Sequence, residues 1–92
     1  MVEKHAHTPH PEIENRLHRA HGHLAKVIQM IEEDQSCLKV AQQLHAVSHA
    51  LVNAKRAFVQ HHIEECLDES LFDSPENRKK HLEEFQEITK YL

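Results

Sequence analysis

The chain has 92 residues, of which 39% are apolar and only 4% aromatic, and its formal net charge is −4. That is the size of one small domain whose own core gives modest stability, so association is expected to supply the missing burial. With no secretory leader and no apolar run of membrane length, a cytoplasmic location without membrane contact is expected.

Residues 1–10, MVEKHAHTPH, are polar and hold His5, His7 and His10. They read as a mobile His-rich tail, with one helical domain over 11–92. Pro11 suits the first turn of a helix. From there Ile13, Leu17, Ala20, Leu24, Val27 and Ile31 follow a 4-3-4-3-4 rhythm, which predicts an amphipathic helix ending near Glu33. Gly22 inside it lowers helix propensity and would allow close packing. Asp34-Gln35-Ser36 is a short connector with Ser36 as N-cap. A second helix is predicted from Cys37 to Asp68, with the stripe Val40, Leu44, Val47, Leu51, Ala54 and Phe58. Val52, Val59 and Ile63 add a second apolar edge, so this helix is expected to touch the first helix on one side and a partner subunit on the other. Ser74-Pro75 opens a third helix with Leu82, Phe85 and Ile88 on one face. The fold class is therefore all-α: a protomer of two long antiparallel helices and a short third.

Charge is unevenly placed. Residues 15–31 carry Arg16, Arg19 and Lys26 and no acid; residues 36–63 carry Lys39, Lys55 and Arg56 and no acid. The acids gather at Glu32, Glu33 and Asp34 and from Glu64 onward. Arg16, Arg19, His23 and Lys26 share one helical stripe beside the apolar one. Repeated in an oligomer, such segments would make a basic face on an acidic body, suited to nucleic acid; the competing reading is ordinary solvated charge.

Cys37, His62 and Cys66 carry the chemistry. In QHHIEEC, His62 and Cys66 are four apart and share a helix face. On an ideal helix Cys37 projects within about 40° of both, yet lies roughly 37 Å from His62 along the axis. One chain cannot close that gap along an unbroken helix, whereas an antiparallel second copy would bring Cys37 of one subunit beside His62 and Cys66 of the other. Two thiolates and an imidazole suit Cu(I), and a fourth nitrogen from the tail would suit Ni(II), Co(II) or Zn(II). The competing reading is a pair of small buried cysteines and a hydrogen-bonded histidine. His61 is a poorer candidate, being five residues from Cys66. His45 and His49 form another i, i+4 pair but point roughly 120° away, and an exposed or polar-network role is preferred for them. Nothing resembles a nucleophile–base–orienter set, so an enzyme is not expected. A metal buffer or chaperone using the tail as its acquisition arm is the alternative from another class, and a ligand-free helical interaction module is a third. The two cysteines could also form an intersubunit disulfide on oxidation.

Over about Glu12–Asp68 the chain resembles the CsoR/RcnR/FrmR family of small all-helical bacterial repressors. The carriers are NRLHRAHGHLAKVIQMIEED, Cys37 just after it, VAQQLHAVSHAL and HHIEEC. The resemblance implies an intersubunit metal site at Cys37, His62 and Cys66, like that of the copper(I)-sensing members. Nickel and cobalt sensors add a tail histidine 32 residues before the cysteine, the distance at which His5 stands. Cys66 argues against the formaldehyde sensors and His62 against the persulfide sensors. The resemblance also implies an antiparallel dimer, assembled into a dimer of dimers, that binds operator DNA in the apo state and releases it with inducer. Its helix-1 DNA face falls on Arg16 and Arg19, with Lys26, Lys55 and Arg56 as further basic candidates; Asn53 stands where some members carry a basic residue.

Overall fold

The computed structural model describes residues 10–70 and 74–92, with positions 66, 69 and 70 described by their backbone alone. Three helices follow in chain order: α1 (Pro11–Glu32), α2 (Cys37–Ser70) and α3 (Pro75–Ile88), closed by a 3-10 turn over Thr89–Tyr91. The α1 and α2 helices form an antiparallel hairpin, and α3 packs on α2. The protomer is elongated, 58 × 25 × 21 Å, because the 34-residue α2 sets its length.

The turns follow from local chemistry. Pro11 occupies the first turn of α1 with Glu12 and Glu14 beside it, where negative charge complements the helix dipole. α1 ends in a Schellman arrangement: Gln35 N–H donates to Met30 O at 3.0 Å and Asp34 N–H to Ile31 O at 3.1 Å. That geometry needs a left-handed residue, and Asp34 supplies it at φ 57°. Ser36 then caps α2, its Oγ accepting from Lys39 N at 3.2 Å. Ser74 does the same for α3, accepting from Asn77 N at 3.3 Å ahead of Pro75.

The core is one thin seam. Ile13, Ala20, Val27 and Met30 of α1 are buried with Val47, Ala54 and Val59 of α2, and no polar or charged residue is fully buried among the described residues. The first three on α1 are seven apart, as are Val47 and Ala54, so each helix gives the seam one narrow row. A fully buried Val, Ile or Met contributes about 1.5–3 kcal/mol, and this short row includes two alanines. The other half of each predicted stripe stays on the surface: Leu17, Leu24 and Ile31 on α1, with Leu44, Leu51 and Phe58 on α2, are 38–56% exposed. Gly22 does not mark a close contact within the protomer; a Cβ there would meet nothing within 4 Å.

Helical geometry assigns these rows to one side. Measured from the seam, Leu17, Leu24 and Ile31 are turned roughly 40° on α1, and Leu44, Leu51 and Phe58 roughly 60° on α2, in the same rotational sense. In an antiparallel pair the same sense means the same side. The α1–α2 hairpin therefore has an apolar side beyond its own core, and no helix in it is long and apolar enough to cross a membrane.

Candidate metal centre and basic face

Cys37 is the first residue of α2 and its thiol is exposed. α2 runs unbroken from there through positions 62 and 66. The helix thus keeps Cys37 and His62 at opposite ends, about 37 Å apart at 1.5 Å per residue. By the same angular reckoning, positions 37, 62 and 66 lie roughly 60–100° from the seam on the side of the apolar rows. Within a single protomer the three predicted positions share a side, positions 62 and 66 one turn apart and Cys37 too far along the helix to meet them. His5 lies outside the described residues.

His62 faces α3. Its Nε2 stands 3.6 Å from Oε1 of Glu84, the two side chains being 18% and 38% exposed. That distance is too long for a hydrogen bond of ordinary strength but close enough for the carboxylate to favour one orientation of the ring. Sequence reasoning missed Glu84, which belongs to a helix whose charged surface gives no pattern to single out one carboxylate.

A second group of donors gathers at the open end of the hairpin. One ligand atom each from His10, His61 and Glu65 lie within 4.8 Å of one another, all three residues half-buried. The His10 ring packs edge-on against Phe58 at 5.2 Å and His61 at 4.6 Å between centroids. His61 Nδ1 is buried with no hydrogen-bond partner, a state that ordinarily costs about 1–3 kcal/mol. His61 was passed over because it leaves the Cys66 face. The signal that locates it is the row Val40, Val47, Ala54, His61, spaced by seven and directed at α1. In an antiparallel hairpin that row ends where α1 begins, beside His10.

The basic residues of α1 occupy the other side. Arg16, Arg19 and His23 of α1 line a shallow groove with Ala50 and Asn53 of α2. Arg16 is 3.9 Å from Glu12, a loose exposed pair that leaves its charge available. His23 Nε2 is bonded to Gln43 Oε1 at 2.7 Å, tying the two helices along this groove. Lys26, Lys55 and Arg56 are exposed and do not line the groove; Lys26 is turned to the same side as the groove, Lys55 to the side of Cys37, and Arg56 away from the seam. His45 and His49 are exposed, their rings 4.3 Å apart. The candidate metal positions and the groove lined by Arg16 and Arg19 therefore fall on opposite sides of one hairpin.

The chain is similar to known proteins in sequence and in fold. A family model described as a metal-sensitive transcriptional repressor matches residues 10–91. The copper-sensing transcriptional repressor CsoR of Mycobacterium ulcerans is 41% identical over 59 residues, covering 64% of this chain and 50% of that protein. The copper-sensing transcriptional repressor RicR of Mycobacterium tuberculosis is 35% identical over 52 residues, 56% of this chain and 54% of its own. The chain thus spans about half the length of these curated relatives. Among solved structures, the nickel-responsive transcriptional regulator InrS superposes with a TM-score of 0.75 at 28% identity, covering 98% of this chain and 100% of that one.

Proposed function

The chain belongs to the metal-sensitive transcriptional repressor family, a family of regulators rather than enzymes, and we propose that it binds operator DNA when metal-free and releases it on binding a transition metal, Cu(I) by preference. The metal-responsive and DNA-binding domain is residues 11–92, with 1–10 as a His-rich arm. The working unit is an antiparallel dimer, paired again into a tetramer.

The observation that carries this reading is the unbroken α2. It holds Cys37 and His62 a helix-length apart, on the side where Leu44, Leu51 and Phe58 await cover. A second copy laid antiparallel on that side covers the apolar rows and brings its Cys37 to His62 and Cys66 of the first. The donor set fits a soft ion: two sulfurs and one imidazole suit trigonal Cu(I). When bound, the ion links the start of one α2 to the end of the other. Glu84 lies 3.6 Å from His62 Nε2, where its carboxylate favours the ring orientation that turns Nδ1 away from it. Arg16 and Arg19, with Lys26 as an outer contact, meet phosphate from the opposite side; Lys55 and Arg56 are weaker candidates, because Lys55 stands at the same helical angle as Cys37 and Arg56 is turned away from the seam. Metal and DNA then compete through the angle between hairpins, not for the same atoms.

A second reading, a Ni(II) or Co(II) sensor, has its own support in the likeness to InrS and in His5, 32 residues before Cys37, as a fourth ligand. Anaerobic titration with Cu(I), Ni(II) and Co(II), each read by stoichiometry and by release of DNA from upstream of its own gene, decides between them. One Cu(I) per subunit, with operator release and loss of both in Cys37→Ala, is the expected result. Tight metal binding with no operator binding at any salt would instead make the protein a metal buffer.

A further inference from the structure

We propose that each protomer carries a second metal site, built by His10, His61 and Glu65, that takes a borderline divalent cation such as Zn(II) or Co(II) and pins the start of α1 to the end of α2. The site is made within one chain and contains no sulfur, so it differs in donor set and in topology from the Cys37–His62–Cys66 centre.

Three observations converge on it. The three ligand atoms already lie within 4.8 Å of one another, and Zn–N bonds of about 2.0–2.1 Å put tetrahedral ligands roughly 3.4 Å apart. Rotations about side-chain bonds close that difference without moving a helix. His61 Nδ1 is buried and unsatisfied, and the face-to-edge contact of its ring with His10 gives that nitrogen no partner. Lastly, the backbone holds the donors in place: His61 and Glu65 are one turn apart on α2, and His10 is fixed ahead of Pro11. The carbonyl of His10 accepts from Glu14 N at 2.9 Å, so its backbone is part of the helix start.

Two imidazoles and one carboxylate are the donor set of an open three-ligand zinc site, with a fourth position left for water. The set lacks the soft sulfur that Cu(I) favours. The two centres are therefore selective for different ions, although His61 and His62 are adjacent. A cation at this site closes the hairpin at the end opposite the Ser36 cap, where α1 and α2 are otherwise held by Ile13 and Val59.

The test uses Co(II) as a spectroscopic probe on the full chain, with thiols kept reduced. The Cys37→Ala/Cys66→Ala protein is expected to bind one Co(II) per chain with d–d absorption and no thiolate charge-transfer band, and its melting temperature should rise with added Zn(II). In that background His61→Gln, His10→Gln and Glu65→Gln should each weaken binding at least about tenfold, the scale of even an outer-shell loss. His5→Gln/His7→Gln and His45→Gln/His49→Gln should bind as before, with helical content unchanged throughout. Absence of Co(II) binding in the cysteine-free protein, its persistence after His61→Gln, or its loss in either control pair overturns the proposal.

Discussion

Single residues decide how this chain turns and what it binds. Asp34 holds a left-handed backbone at φ 57° to complete the Schellman end of α1. Glycine is the usual occupant of that position because it lacks the Cβ that strains it. Asp34→Gly should therefore stabilise the protomer by about 1 kcal/mol, less the added freedom of the unfolded chain; chemical denaturation in the metal-free state measures it, and an unchanged midpoint would show that the aspartate is not strained. The caps at Ser36 and Ser74 were legible in the sequence because a cap is local chemistry written within four residues. Glu84 and the His10–His61–Glu65 group were not. Their partners come from other helices, and spacing along one helix cannot report which face another helix covers. His61 was set aside on its angle to Cys66, a correct angle applied to the wrong neighbour.

At the scale of the helix, the 4-3 rhythm located α1 and α2 to within two residues: α1 ends at Glu32 against an expected Glu33, and α2 at Ser70 against Asp68. The same rhythm did not tell which apolar residues face which partner. Ile13, Ala20 and Val27 are buried in the hairpin, while Leu17, Leu24 and Ile31 from the same stripe remain exposed. Apolar periodicity records burial in the complete assembly, whatever covers each row. Leu51 sits at the middle of the exposed α2 row and is 43% exposed. Leu51→Glu should therefore leave the hairpin core in place but dissociate the proposed oligomer, since a charge there cannot be covered without large desolvation cost. Sedimentation at micromolar concentration should give a smaller species that keeps its helical spectrum; an unchanged mass would remove this row from the interface. Gly22 offers a converse test. Open space surrounds it, so Gly22→Ala should add about 0.5–1 kcal/mol to the stability of α1. A loss of operator affinity in that variant, with stability raised, would show that the position meets DNA.

For the molecule as a whole, the separation of the two sides would set how the proposed metal and DNA ligands communicate. Arg16 and Arg19 line the groove on one side of the hairpin, while positions 37, 62 and 66 belong to the other. A metal held between subunits, as proposed, could not block a phosphate at Arg16; it would act by favouring one arrangement of hairpins over another. Coupling of this kind is reciprocal: the factor by which metal weakens operator binding is the factor by which operator weakens metal binding, typically about 5–150-fold. Two variants separate the ligands. Arg16→Ala should take Cu(I) with unchanged stoichiometry but bind operator more weakly, with a flatter dependence of affinity on salt, because each lost phosphate contact removes about 0.9 from the slope of log K against log salt. Cys37→Ala should bind operator like the parent protein, keep the parent salt slope, and fail to let go when Cu(I) is added. The decisive measurement is the Cu(I) affinity of the parent protein with and without saturating operator, set beside its operator affinity with and without Cu(I). Ratios well above one, equal as linkage requires, would show that the two ligands are coupled, and ratios near one would show that they are not. An operator affinity that falls with Cu(I) in Cys37→Ala as it does in the parent would mean that release proceeds through other ligands, and the cross-subunit centre would lose its role in the switch.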